Sequence, residues 1–126
     1  MPKFVEMDET VTLIQQLAET GSPVILINRF NVKPEDVEQL LSAWAADAAW
    51  MKQQPGYIST QLHRGIGGSC VFLNYAVWES VGDFKRAFGH PEFQAKLQHY
   101  PAEAIVSPHL FQKVAAPRVC VDQEKQ

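Results

Sequence analysis

Two strand-like runs, Tyr57 to Arg64 and Cys70 to Trp78, are separated only by Gly65-Ile66-Gly67-Gly68-Ser69. A short glycine-rich link of this kind most simply makes a hairpin turn, so the two runs form an antiparallel pair. The same glycines do not cradle a phosphate. A P-loop needs Lys-Ser/Thr and a helix after its glycines, and a dinucleotide fingerprint needs a helix starting within them, whereas here another strand begins. Side chains alternate faces along a strand, so Phe72, Asn74, Ala76 and Trp78 share one side while Val71, Leu73, Tyr75 and Val77 take the other. Asn74 and Trp78 are therefore expected to look into one cavity.

The flanking segments supply the rest of a layered domain. Val11, Ile14, Leu17 and Ala18, preceded by Asp8-Glu9-Thr10 and stopped by Gly21 and Pro23, predict a short amphipathic helix. Val24 to Phe30, interrupted only by Asn28 and Arg29, predicts a buried strand. Pro34-Glu35-Asp36 opens a second helix whose face is Val37, Leu40, Leu41, Trp44, Ala48 and Met51, ending near Gln54 before Pro55-Gly56. In the strand that follows, Ile58, Thr60 and Leu62 alternate with Tyr57, Ser59, Gln61 and His63. Ser80 and Asp83 cap a helix carrying Phe84 and Phe88. His90-Pro91-Glu92 starts another with Phe93, Leu97 and Tyr100, and Ala104 to Val114 is a last strand in which Pro108 suggests an edge or a bulge.

The resulting order, after the leading helix, is βαββαβ: an α+β, ferredoxin-like arrangement with an antiparallel sheet and helices on one face. The chain divides into residues 1–22 as a helical extension, 23–114 as the domain and 115–126 as a tail. Both faces of the first strand are apolar, because Ile25 and Ile27 oppose Leu26 and Phe30. Helices cover only one face, so a homodimer with sheet packed on sheet is expected.

Composition closes off other classes. With 126 residues, 46% of them hydrophobic, the chain suits one core. A net charge of −3 with scattered Lys and Arg does not suit a nucleic-acid partner. No segment reads as a signal peptide or a bilayer span, so a cytoplasmic location and no membrane partner are expected. Cys70 and Cys120 have neither a metal-like nor a disulfide-dense spacing and are read as free thiols; no metal site is expected.

Pro55-Gly56-Tyr57, a strand ending Leu62-His63-Arg64, a strand ending Val77-Trp78-Glu79-Ser80, then Phe84 and His90-Pro91-Glu92-Phe93 together resemble the antibiotic biosynthesis monooxygenase (ABM) domain family over residues 23–114. The resemblance implies a dimeric α+β barrel with a pocket between each subunit's sheet and helices. Its quinone-forming members carry an Asn four residues before the strand-end Trp, matched here by Asn74 and Trp78. By this likeness the chain is expected to be a cofactor-independent monooxygenase of an aromatic phenol or quinol-type metabolite, with dioxygen as co-substrate. Asn74 would steady developing negative charge and Trp78 would wall the pocket. A Tyr and an Arg that such enzymes also use fall on Phe84 and Gln98.

Asn28 matches the pocket Asn of the family's heme-degrading branch and is a third catalytic candidate. That branch's helical Trp and heme-ligating His fall on Ala87 and Leu97, which weighs against heme. Trp44, Phe72, Phe84 and Phe88 are candidates to line a flat substrate site. His63 joins them because a neutral imidazole can act as a base, although Thr60 and Leu62 as the buried set would turn it to the opposite face. The rival expectation is a ligand-binding or structural dimer of the same fold without turnover. Residues 1–22 could lid the pocket or cross a partner, and Pro117 to Val121 could add an edge strand.

Overall fold

The computed structural model describes residues 1–122. Nine elements follow in chain order: β1 (Lys3–Phe4), α1 (Leu13–Leu17), β2 (Val24–Asn31), α2 (Val37–Met51), β3 (Tyr57–Arg64), β4 (Val71–Trp78), α3 (Val81–Phe88), α4 (Pro91–Lys96) and β5 (Ile105–Phe111). Short 3₁₀ turns at Pro34–Asp36 and Leu97–His99 lead into α2 and out of α4. The sheet order is β1-β5-β2-β4-β3. Pairings β2–β4, β2–β5 and β3–β4 are antiparallel, while β1 runs parallel to β5. From β2 onward this is the expected ferredoxin-like topology, and the expected hairpin joins β3 to β4. Gly67 and Gly68 have φ of 72° and 77°, which a side chain would oppose.

The N-terminal segment departs from its expected form. Its helix is one short turn capped by Thr12, whose hydroxyl accepts from Gln15 N while the Gln15 side chain accepts from Thr12 N. Leu13 is its buried residue and Leu17 packs against the core, whereas Val11, Ile14 and Ala18 are exposed, so of the apolar set read from the sequence Leu17 alone lies on the packed face. Asp8 Oδ1 instead accepts from the amides of Thr10 and Val11, closing a turn upstream of the helix. The chain ahead of it forms β1, which the sequence does not announce. At the other end, Ala116 and Cys120 form an isolated bridge rather than an edge strand, and residues 123–126 of the expected tail lie outside the described residues. Cys70 and Cys120 are free. Among the described residues no helix is long and apolar enough to cross a membrane.

Two apolar clusters fill the space between sheet and helices. One joins Leu26, Ala76, Trp78, Val81 and Phe84. The other joins Phe30, Leu40, Phe72, Phe93, Leu97 and Tyr100. Trp50, Met51 and Phe88 pack against both. Leu41, expected on the inward face of α2, is largely at the surface, whereas Leu40 is fully buried. On the opposite face of the sheet, Ile25, Ile27, Leu73 and Val77 are half-buried, and Tyr75 is exposed.

A β-bulge between Tyr57 and Ser59 changes the reading of β3. The extra residue shifts the alternation, so Tyr57 comes inward with Thr60 and Leu62 while Ile58 turns outward, half exposed. Gly56, at φ 86°, permits the preceding turn. A Cβ there would collide with the Asp83 side chain, so no other residue fits without displacing the cap of α3.

Candidate active site

The two clusters meet around a pocket of about 540 Å³, including its mouth to solvent, between the sheet and helices α2, α3 and α4. Four strands supply its floor: Leu26, Asn28 and Phe30 from β2, Tyr57 and Thr60 from β3, Asn74, Ala76 and Trp78 from β4, and Pro108 from β5. Helix α2 contributes Trp44, Asp47, Ala48 and Met51, positions separated by three, four and seven residues and so on one helical face. Phe84, Phe88, Phe93 and Tyr100 close the far side. The walls are mainly aromatic, with a few polar groups set among them, as in sites for small apolar ligands.

Asn28 and Asn74 are directly opposite each other across the β2–β4 pair, and side chains at such positions are near neighbours on one face. Both amides are held by their carbonyl ends. Thr60 donates its hydroxyl to Asn74 Oδ1 at 2.5 Å, and the backbone N–H of Ser107 donates to Asn28 Oδ1 at 3.1 Å. With the oxygens engaged, Nδ2 is the donor end left in each amide. Pro108 pairs with Asn28 from the other flank, so prolyl ring, two amides and Leu62 form one row across the sheet.

Trp78 is 1% exposed and stands edge-on to Tyr57 and Phe84, with centroids at 5.7 and 5.8 Å. Phe84, Phe88 and Phe93 continue the aromatic series at 5.4 and 5.3 Å. Edge-to-face and tilted contacts of this kind fix ring orientation beyond what burial alone does.

Opposite the amides lies a carboxylate that sequence reasoning passed over. Asp47 is 8% exposed; its Oδ2 accepts the Tyr100 hydroxyl at 2.9 Å, and its Oδ1 is buried with no hydrogen-bond partner. Burial pushes its pKa from the ordinary 3.8 up to about 6, against the lowering influence of Tyr100 and of Lys96. The Tyr100 hydroxyl is itself held well above its ordinary range by burial and by the neighbouring Asp47 charge. The signal was present in the sequence: Asp47 is three residues beyond Trp44, seven beyond Leu40 and four before Met51, which places an acid on the inward face of α2.

The raised pKa has a stability consequence with a definite sign. Native Asp47 holds its proton more tightly than the unfolded chain does, so its stabilising contribution is fully present below pH 3.8 and is lost as pH rises through about 6. Asp47→Asn, which keeps the shape and removes the charge, is expected to be more stable than the parent above pH 6 by up to about 3 kcal/mol. The difference should close as pH falls toward 4. Urea melts of both proteins at pH 4 and pH 8 check this, and an equal difference at the two pH values would contradict it.

Of the residues read from the sequence as site candidates, Asn74, Trp78, Asn28, Trp44, Phe84 and Phe88 all line the pocket. Phe72 does not. It faces the predicted side but lies beyond the pocket, buried against Phe30 and the α4 side of the core, with the Arg64 guanidinium 5.1 Å from its ring. His63 does not either; it is exposed on the other sheet face, its Nδ1 3.3 Å from Leu73 O. Thr60, Tyr57, Asp47 and Tyr100 are the polar pocket residues that sequence reasoning missed.

The pocket residues do not fit a heme. None of the four histidines lines it. His90 caps α4 by accepting from Glu92 N, and His109 is tied to Gln16. The position expected to ligate iron is Leu97, packed in the core.

A sequence profile of the antibiotic biosynthesis monooxygenase family matches residues 23–98. The chain is 35% identical over 72 residues to deoxynogalonate monooxygenase of Streptomyces nogalater, a match covering 56% of this chain and 58% of that relative. It thus spans less than two thirds of the length of the curated relative. The crystal structure of SnoaB, a cofactor-independent oxygenase of Streptomyces nogalater, superposes with a TM-score of 0.66 at 27% identity, covering 78% of this chain and 99% of that one. A protein of Shewanella loihica PV-4 is similar at 33% identity and a TM-score of 0.65, over 75% of this chain and 97% of its own.

Proposed function

Because this chain belongs to the antibiotic biosynthesis monooxygenase family, we propose that it is a cofactor-independent monooxygenase of a planar phenol or quinol-type aromatic. The observation that carries this reading is the adjacent pair of amides. Asn28 and Asn74 are held by their oxygens, with their donor ends available beside an aromatic pocket. Such a pair suits an oxygen atom on which negative charge develops, because preorganised donors in a dry site need no reorganisation during reaction. Trp78, Phe84, Phe88 and Trp44 would hold the ring system in place.

In this reading the substrate does the redox work. Its anion gives one electron to dioxygen, forming a substrate radical and superoxide, which combine through a new C–O bond. Loss of the remaining C–H proton with O–O cleavage then leaves a carbonyl and one water. A methylene and one dioxygen become a carbonyl and water, so one oxygen atom enters the product.

The outer sheet face, where Ile25, Ile27, Leu73 and Val77 are half-buried and Tyr75 is exposed, supports the second half of the proposal, a homodimer packed sheet to sheet. A cytoplasmic location fits the same reading.

Oxygen uptake with a panel of anthrones and hydroquinones, measured with a chelator present, tests the activity. Turnover that the chelator leaves unchanged is the expected result. Saturable binding of the same compounds without any uptake would favour a non-catalytic ligand-binding dimer. Light scattering should give a dimer that Tyr75→Asp dissociates; a monomer at every concentration would remove the dimer.

A further inference from the structure

A carboxylate buried in an aromatic pocket, held on one oxygen and unpartnered on the other, is costly to the fold. Asp47 is such a group, 8% exposed, bonded at Oδ2 to Tyr100, its Oδ1 without a partner, and in the lining of the same pocket as the two amides. The packing of the helices does not call for it, since Trp44, Ala48 and Met51 already form the apolar stripe of α2 around it. We infer that Asp47 is the general base of this site, its Oδ1 taking the acidic proton of the bound substrate while Tyr100 holds Oδ2 in place. The inference rests on the proposed reading of the pocket as a site for an acidic aromatic, and it adds the proton acceptor that the family likeness left unfilled at Phe84 and Gln98.

The step balances without any redox partner. A substrate C–H or O–H bond breaks, its electron pair stays on the substrate as an enolate or phenolate, and an O–H bond forms at Asp47 Oδ1. The single negative charge crosses the pocket, from the carboxylate on α2 to the substrate oxygen beside Asn28 and Asn74. Both ends of the transfer are thereby provided for: burial makes Asp47 a willing acceptor, and the amides favour the anion left behind. The pKa of about 6 lies close to neutral pH, where a base is both ionised and reasonably strong. The ionisable groups acting on it are Tyr100, through its hydrogen bond, and Lys96, through its charge.

Tyr100 is a positioning residue in this scheme. Its ring is 5.9 Å from that of Phe30 and nearly parallel to it, which fixes the hydroxyl that holds Asp47. Removing that hydroxyl withdraws a stabilising bond from the carboxylate and should move the ionisation upward.

Proton removal can be read apart from oxygenation. Anthrone incubated with the protein in deuterated buffer without oxygen should exchange its methylene protons, measured by NMR, at a rate that rises with pH to a plateau above about pH 6. Asp47→Asn should lower that rate about 100- to 10,000-fold while retaining binding of anthraquinone. Tyr100→Phe should shift the rising limb to higher pH. The inference is overturned if the wild-type protein does not accelerate exchange, or if Asp47→Asn exchanges as fast as wild type. Should Asp47→Asn fail to fold, Tyr100→Phe decides, and an unmoved limb counts against the inference. Oxygen uptake by the same samples in air separates the two readings. Exchange without uptake removes the oxygenase and keeps the base, whereas uptake with exchange that ignores Asp47 keeps the oxygenase and removes the base.

Discussion

Replacing Asn74 with alanine is expected to lower turnover of an oxidisable anthrone by about 100- to 1,000-fold, equivalent to roughly 2.7–4 kcal/mol of barrier. The size follows from position. Asn74 lies in the middle of β4, opposite Asn28 on one side and Leu62 on the other, so its backbone is fixed by two neighbouring strands. Thr60 fixes the side-chain oxygen in turn. A donor so restrained does not need to be ordered when charge develops, and no solvent molecule replaces it at equal cost in an aromatic cavity. The structural penalty is smaller: the lost Thr60 bond amounts to about 1 kcal/mol, a few degrees of melting temperature in a domain of this size. Steady-state kinetics beside a thermal melt separate the effects. A rate within threefold of the parent at unchanged stability would remove Asn74 from the chemistry. Asn74→Asp is the sharper companion, because a carboxylate can only accept and would repel the anion.

Trp78→Ala is expected to cost about 3–5 kcal/mol of stability, a large share of the roughly 5–15 kcal/mol available to a typical domain. Trp78 is nearly inaccessible and locks two rings edge-on, Tyr57 from the bulged start of β3 and Phe84 from α3. Its loss opens a hole at the junction of strand, hairpin and helix, where the backbone can collapse little. Trp78→Phe keeps a ring in that place and should retain the fold while altering the shape of the pocket. Denaturant melts of both variants test this, and a loss below about 1 kcal/mol for Trp78→Ala would mean that the wall is not a structural element.

The architecture was legible because it rests on local signals. Pro55-Gly56 before β3, the glycine-rich link before β4, and the Ser80 and His90 caps all lie where the chain turns or where a helix begins. The inward set Phe72, Asn74, Ala76 and Trp78 was legible for the same reason, since parity in a strand needs no knowledge of its neighbours. Departures occur where tertiary detail overrides the local pattern. A single extra residue in β3 inverted Tyr57 and Ile58, which no alternation rule could anticipate. Phe72 shares the face of Asn74, but the end of the pocket is set by how α4 crosses the sheet, and that depends on packing between distant segments. Asp47 was hidden for a different reason. An acid on a helix is read by default as a solvated side chain, although here its spacing from Trp44 and Met51 already set it on the inward face.

β1, the Val5 that follows it and the Gln16 side chain together occupy the free flank of β5: Lys3 N bonds Ala104 O, Val5 N bonds Val106 O, and Gln16 bonds both the N–H and the carbonyl of Leu110. Between them sits Pro108, which has no N–H to offer a passing strand. The flank of β5 is therefore covered, and the edge strand beyond it, β1, is only two residues long, which leaves little backbone for another chain to recruit on this side. Among the described residues the long margin open to such templating is that of β3, the β1 margin being two residues long, so association is steered toward broadside contact.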